Sequence, residues 1–453
     1  VASRATVGSK TMIPPTGSRK SSAYPWIVFA LTFALLLSDY MSRQVLNAVF
    51  PLLKSEWALS DSRLASLSSV VALTVGLLTL PLSLVADRWG RVRSLVLMAV
   101  LWSMATLLCA VATGFHQMLG ARLLVGVGEA AYGSVGIAVV LSVFAPRVHA
   151  ALSGAFMAGG SFGSVVGVAL GGLIAVHLSW RWAFAAMAVF GLVLVALFRA
   201  LVSERKLARH AVEQQQQPLA AGHPSVPNGF RAPISSLYTN PSVLCAYLGG
   251  GLQMFTAAVL LAWMPSYFNR YYDLPPDRAG AIAAVFVLLV GSGMVICGII
   301  TDRIGRADTS RKWTGAVVFC VISLVCLSAG FRLEPGMPSL VLIGCGAFFA
   351  AGSSGPTAAM VAGLTHPSVR ASAMGSLTLA NSLLGLALGP FVVGILADRL
   401  GLLGALRLAP LVYLAAIAAL VLGRRLHPAG ERRLAALTES TPSASPTNHQ
   451  ERT

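Results

Sequence analysis

Charged side chains make up only 11% of this 453-residue sequence, against the roughly 25% that a soluble domain carries. A chain so poor in charge cannot give a folded core a water-facing surface. With 56% hydrophobic residues and a mean hydropathy of +0.75, it reads as an integral membrane protein. Acidic residues are scarcest, 16 against 33 Lys and Arg, which leaves a net charge of +17. That excess does not point to nucleic acid, because the cations sit in short loops and tails beside apolar runs and no groove-reading motif accompanies them. The six cysteines (Cys109, Cys245, Cys297, Cys320, Cys326, Cys345) all fall within apolar runs and none has metal-ligand spacing. They read as small buried hydrophobes, not as a disulfide framework. No P-loop, metal cluster or nucleophile–base set stands out, and His149 and His177 read as loop histidines. A polytopic enzyme is therefore the weaker class, no cofactor is expected, and any transport should run on ion or substrate gradients.

A spanning helix needs about 20 mostly apolar residues. Twelve runs meet that length, near 24–50, 63–85, 94–113, 117–143, 150–176, 182–201, 241–265, 279–300, 313–331, 339–363, 371–396 and 402–423. The first is long enough to span, so it is read as a helix and not as a cleavable signal peptide. Residues 202–240 interrupt the series with Glu204-Arg205-Lys206, the glutamines Gln214 to Gln217 and several prolines, a composition that reads as a flexible linker. The predicted plan is a disordered tail over 1–23, a six-helix bundle over 24–201, the linker over 202–240, a second bundle over 241–423 and a disordered tail over 424–453. Counted by loop parity, 23 Lys and Arg fall on the side of both tails and about 8 on the other, with Arg43 and Arg122 inside helices. That bias predicts a multi-pass protein of the cell (inner) membrane with both termini cytoplasmic.

The sequence Asp87-Arg88-Trp89-Gly90-Arg91 returns 215 residues later as Asp302-Arg303-Ile304-Gly305-Arg306, each copy between two apolar runs. A charged turn repeated at near half-length indicates a doubled bundle, and doubled bundles can rock around a central site. Gly163, Gly167, Gly171 and Gly172 in the fifth run are echoed by Gly385, Gly389 and Gly394 in the eleventh. Such spacing lets a neighbouring helix approach closely, whether the contact is fixed or sliding. A shorter echo, Asp398-Arg399-Leu400-Gly401, falls on the outer side by parity and is assigned no gate role.

Taken together, the six-plus-six plan, the DRxGR turn, its repeat and the glycine stripe resemble the major facilitator superfamily. Ser83 stands four residues before Asp87, where a glycine is usual, whereas the second copy keeps Gly298. The segment Arg122-Leu123-Leu124-Val125-Gly126-Val127-Gly128-Glu129-Ala130 resembles the family's helix-4 signature. The resemblance covers about residues 24–423 and implies an all-α polytopic fold of 12 transmembrane helices in two six-helix bundles. Gly126 to Tyr132 is similar to the matching segment of Spinster-like transporters. Asp39-Tyr40-Met41-Ser42-Arg43-Gln44 is similar to a stretch shared by Spinster-like proteins and the anion:cation symporter branch, with Asp39 replacing an Asn and Ser42 replacing an Asp. The resemblance implies a monomeric secondary transporter with a cytoplasmic gate at Asp87, Arg88, Gly90 and Arg91 and at Asp302, Arg303, Gly305 and Arg306.

Four ionisable residues fall inside two runs of the first half: Asp39 and Arg43, then Arg122 and Glu129. A charge at mid-bilayer costs several kcal/mol, so such residues face a cavity or a partner. At 1.5 Å per residue, Asp39 lies roughly 16 Å and Glu129 about 18 Å from the outer ends of their helices, near the midplane. A structural salt-bridge network is one reading. The other makes a carboxylate, Glu129 ahead of Asp39, the proton carrier and an arginine the anchor for an anionic substrate group. Burial disfavours a charged carboxylate and a nearby arginine favours it, so filling the arginine with substrate would couple binding to protonation. The second half offers only mildly polar candidates for a cavity wall: Gln253, Thr256, Ser353, Ser354, Thr357 and Asn381, with Tyr132 from the first half. Pro356 should weaken the tenth helix locally. The expected function is secondary, proton-coupled transport of an anionic organic or amphiphilic solute, with small organic acids as the alternative.

Overall fold

The computed structural model describes residues 23–144, 148–207, 235–305 and 310–439. Residues 208–234 of the expected linker, residues 1–22 and 440–453 of the expected tails, and Arg306 lie outside the described residues; residues 424–439, expected in the disordered tail, instead continue the last helix. Among those described, the chain is helical and contains no strand.

The first half comprises α1 (Tyr24–Trp57), α2 (Asp61–Trp89), α3 (Arg91–Val111), α4, α5 (His149–His177) and α6 (Trp180–Leu201). The fourth helix is interrupted, running as Phe115–Glu129 and then Tyr132–Ser142. The second half comprises α7 (Pro241–Tyr271), α8 (Pro276–Ile304), α9 (Arg311–Gly330), α10, α11 and α12 (Val412–Glu439). The tenth is interrupted too, as Met337–Phe349 and Ser354–Gly363. That break lies just before Pro356, which has no N–H to bond the carbonyl four residues back.

The eleventh runs Arg370–Ala380, then a π-helical turn Asn381–Ala387, then Leu388–Leu408. The apolar stretch Ser372–Leu437 is 66 residues long, about 99 Å if straight, more than three times the hydrocarbon thickness. It reverses at Gly401, whose φ of 74° and ψ of 159° are open in practice only to glycine, and so supplies the eleventh and twelfth spans. Leu77, Leu97, Val111, Leu178 and Val295 lie exposed on the outside of the bundle, where lipid takes the place of water and only paired backbone is tolerated.

The glycine stripes are used mainly inside each half. A Cβ at Gly163 would strike the Leu37 carbonyl of α1, and one at Gly167 would stand 2.7 Å from Met41 Cα. In the same way, a Cβ at Gly389 would stand 2.6 Å from the Phe255 carbonyl oxygen of α7. Only the outer end of each stripe touches the opposite half: Gly172 meets Pro276 of α8, and Gly394 meets Asp61, Ser62 and Ala65 of α2.

The glycines of α4 do related work around the first break. A Cβ at Gly128 would lie 2.6 Å from the Trp102 amide nitrogen of α3, and one at Gly126 would lie 2.8 Å from Thr74 Cβ of α2. Backbone packed on both sides fixes where the next residue, Glu129, can be. Gly128→Ala should therefore destabilise the protein by about 1–3 kcal/mol through overpacking. Gly133→Ala, where a Cβ meets nothing within 4 Å, should be neutral or mildly stabilising. Equal thermal midpoints in detergent for both variants would contradict this.

Candidate functional site

The break in α4 presents Glu129 at the end of a helical segment, facing α1. There Arg43 lies between two carboxylates, with its Nε 2.7 Å from Glu129 Oε2 and 3.2 Å from Asp39 Oδ1. The Asp39 contact is an aligned hydrogen bond; the Glu129 contact is an ion pair without that alignment. Glu129 is sealed and Asp39 nearly so, while 18% of the Arg43 side chain remains exposed. The guanidinium also lies 5.1 Å from the centre of the Tyr40 ring, a cation–π contact. The cation is thus the accessible member of the cluster and the carboxylates are its walls.

Arg122 sits differently, only 1% exposed. Its Nε donates to the Leu67 carbonyl of α2 at 3.2 Å, and its Nη1 and Nη2 donate to the Ser42 and Arg43 carbonyls of α1 at 3.1 and 3.4 Å. Helical carbonyls keep a second lone pair, and the planar guanidinium fork reaches two helices at once. Arg122 therefore ties α1 and α2 to α4, while Arg43 meets the carboxylates. Two arginines that look alike in sequence do different work.

Tyr132, just past the break, donates its hydroxyl to the Thr32 carbonyl at 2.8 Å and stacks edge-on against Trp102. In the second half, Gln253 of α7 clasps the break in α10. Its Oε1 accepts from the Ser353 amide at 3.0 Å and from the Ser353 hydroxyl, and its Nε2 donates to the Phe349 carbonyl at 3.4 Å. Thr357 closes the same turn by donating to the Ser353 and Ser354 carbonyls, and Tyr413 of α12 donates to the Ala350 carbonyl. Gln253, Ser353 and Thr357 are buried with their polar groups given to the broken helix, and Thr256 is buried as well. Ser354 and Asn381 are partly exposed, and Asn381 opens the π-helical turn of α11.

The expected cytoplasmic gate residues fall at helix ends. Asp87 and Arg88 lie in the last turn of α2, and Gly90 turns the chain with φ 102°. The next helix is capped by Glu204, whose carboxylate accepts from the Val92 amide at 2.7 Å. Arg91 opens α3 and is exposed. Asp302 is exposed and lies 3.6 Å from Lys312 of α9; Arg303 is exposed and Gly305 is packed on the Lys312 chain.

Polar contacts that join the two halves lie toward the outer ends. Asn47 of α1 donates to the Leu261 carbonyl of α7 at 3.3 Å, and the Phe50 and Trp263 rings meet at a tilt of 56°, centres 5.5 Å apart. Farther out, Asp398 accepts from the Asp61 and Ser62 amides at 2.6 and 3.1 Å, and Arg270 holds the Asp61 carboxylate at 2.6 and 2.9 Å. The third DRxG echo, assigned no gate role from the sequence, thus joins the two halves. Parity puts it outside, and outside is where the halves are held together. The pairing with α2 has no signal in the sequence, because Asp61 and Asp398 are 337 residues apart.

The clamp assigned to Arg122 has a direct consequence. Arg122→Lys should cost about 2 kcal/mol of stability, since an ammonium cannot span carbonyls on two helices. An unchanged unfolding midpoint in detergent would contradict the clamp.

Known proteins share this architecture. A family model described as Major Facilitator Superfamily matches residues 32–383. The "Probable L-galactonate transporter" of Escherichia coli (strain K12) is 27% identical over 410 residues, which cover 85% of this chain and 87% of that protein. The protein spinster homolog 1 of Xenopus laevis is 23% identical, over 83% of this chain and 73% of that one. Among solved structures, a bacterial homolog of the human lysosomal transporter Spinster, in an inward-facing and unoccupied conformation, superposes with a TM-score of 0.75. It is 18% identical and covers 94% of this chain and 100% of its own. The family match spans most of the chain and the solved neighbour shares its fold: this chain belongs to the Major Facilitator Superfamily and is a multi-pass membrane transporter, not an enzyme.

Proposed function

We propose that the protein is a proton-coupled carrier of an organic anion, of the size and chemistry of a sugar acid such as L-galactonate, working by alternating access. The observation that carries this is Arg43, a partly exposed cation between two buried carboxylates near the membrane midplane. Asp39, Glu129, Arg43 and Arg122 together carry no net formal charge. A proton on one carboxylate leaves the cluster cationic, and a substrate carboxylate at Arg43 restores neutrality. Proton and anion are thus each stabilised by the other's presence, which is what coupling requires. Glu129 is assigned the proton and Arg43 the anion. Ser354 and Asn381 face the substrate body, and the DRxGR turns at Asp87 to Arg91 and Asp302 to Arg306 close the cytoplasmic side. The carrier works as a monomer in the inner membrane with both termini cytoplasmic, the orientation supported by the excess of Lys and Arg on that side.

An amphiphilic anion is the second reading. It is favoured by an apolar crevice of about 470 Å³ between α2 and α11. Ser69, Leu73, Leu119, Leu383 and Phe391 are among its lining residues, and it is suited to an alkyl chain.

In proteoliposomes, an inward gradient of about one pH unit should support about tenfold accumulation per proton, since each unit is worth about 1.4 kcal/mol. Glu129→Gln should lose accumulation and keep counterflow exchange, while Arg43→Gln should lose both. A Glu129→Gln carrier that still concentrates substrate on a pH gradient would overturn the assignment. Competition by lysophospholipid but not by sugar acids would favour the second reading.

A further inference from the structure

The outer contact between the halves is built from helix-end chemistry. Every helix starts with amide groups that have no partner within it. In α2 the Arg63 amide is taken by the Ser60 hydroxyl, and the Asp61 and Ser62 amides are taken by Asp398 of α11. A carboxylate from one half therefore caps the positive end of a helix in the other. Gly394, one turn before Asp398, brings α11 onto the Asp61 carbonyl and Ala65 of α2. Asp61 in turn holds Arg270 of α7 from the opposite half and Lys54 of α1 from its own, the latter at 2.7 Å. Two carboxylates and two cations are thus balanced across the seam.

The tetrad that supplies Asp398 is the same D-R-x-G as at the cytoplasmic end of α2. Gly90 and Gly401 both turn the chain with positive φ, 102° and 74°. Each tetrad ends a helix at a turn only glycine adopts readily. We infer that Asp398, acting with Asp61 and Arg270, is the latch of the outer gate. It holds the outer ends together while the central site is closed to the outside, and it releases when they part. The latch touches no substrate, so these are positioning residues that set the balance between conformations. The inference rests on the alternating-access reading of the transport cycle.

The test uses the full-length carrier in a background with its six native cysteines replaced, and a reporter cysteine at Ser266. That residue is fully buried, one turn inward of Arg270 on α7. Asp398→Asn should raise labelling of the reporter by a membrane-impermeant maleimide, applied outside, by at least about fivefold. It should also lower the external KM for L-galactonate, because more carriers face outward. A merely structural role would not lower KM. Labelling that stays at the unmutated level would overturn the latch, and this arm needs no substrate.

A second arm separates the latch from the cycle it rests on. Ser62→Cys with Asp398→Cys, oxidised to a disulfide, should block L-galactonate uptake, and reductant should restore it. A cross-linked carrier that still takes up substrate at the reduced rate would overturn alternating access itself. A blocked, reductant-rescued carrier together with unchanged Asp398→Asn labelling would overturn only the latch.

Discussion

One partly exposed cation between buried carboxylates governs the rest of this structure. Arg43 lies between Asp39 and Glu129, whose side chains are all but closed to solvent. An unpaired charge in such a place is strongly destabilising, whereas a paired one is tolerated and responsive. The pairing explains how Asp39, Arg43 and Glu129 are kept within the apolar spans of α1 and α4. It also explains the backbone around them. The close approach of Gly126 and Gly128 to α2 and α3 and the Arg122 clamp on carbonyls of α1 and α2 hold α4, up to its break after Glu129, against those three helices.

The second half has the same architecture with the charge removed. Its tenth helix is broken at the corresponding place, but the break is satisfied by Gln253, Thr357 and Tyr413 through neutral hydrogen bonds. Glycines in the eleventh helix seat it on the seventh, as glycines in the fifth seat it on the first. The two halves are thus matched in packing and unmatched in electrostatics. The buried ion pairs of the central cluster are concentrated on one side of the seam between the halves. The outer latch follows the same logic, since its cations and carboxylates are contributed by both halves and exist as contacts only while those halves touch.

Much of this could be read from the sequence. The twelve runs, the doubled turn, the glycine spacing and the four intramembrane charges all depend on residue type and periodicity, which the sequence states directly. Proline at 356 was enough to foretell a weakened tenth helix. Other features were not legible, for physical reasons. Arg43 and Arg122 are the same residue type at similar depth, and only the direction of each guanidinium separates an ion pair from a clamp. Gln253 and Ser353 look like cavity-wall residues until the helix break that consumes their hydrogen bonds is seen. Asp61 and Asp398 lie on opposite halves, and their pairing depends on how the bundles close, which no local pattern encodes. Loop parity puts Asp398 on the outer side, but side alone says nothing about what is opposite.

The central claim is that substrate and proton meet at the Arg43 cluster and cross together. The most direct measurement follows lumenal pH in proteoliposomes containing a trapped pH-sensitive dye, on adding L-galactonate or related sugar acids outside with no gradient imposed. The account predicts lumenal acidification that begins with uptake, saturates with it, and disappears in Glu129→Gln. Saturable uptake of the same anion with no movement of protons would contradict it.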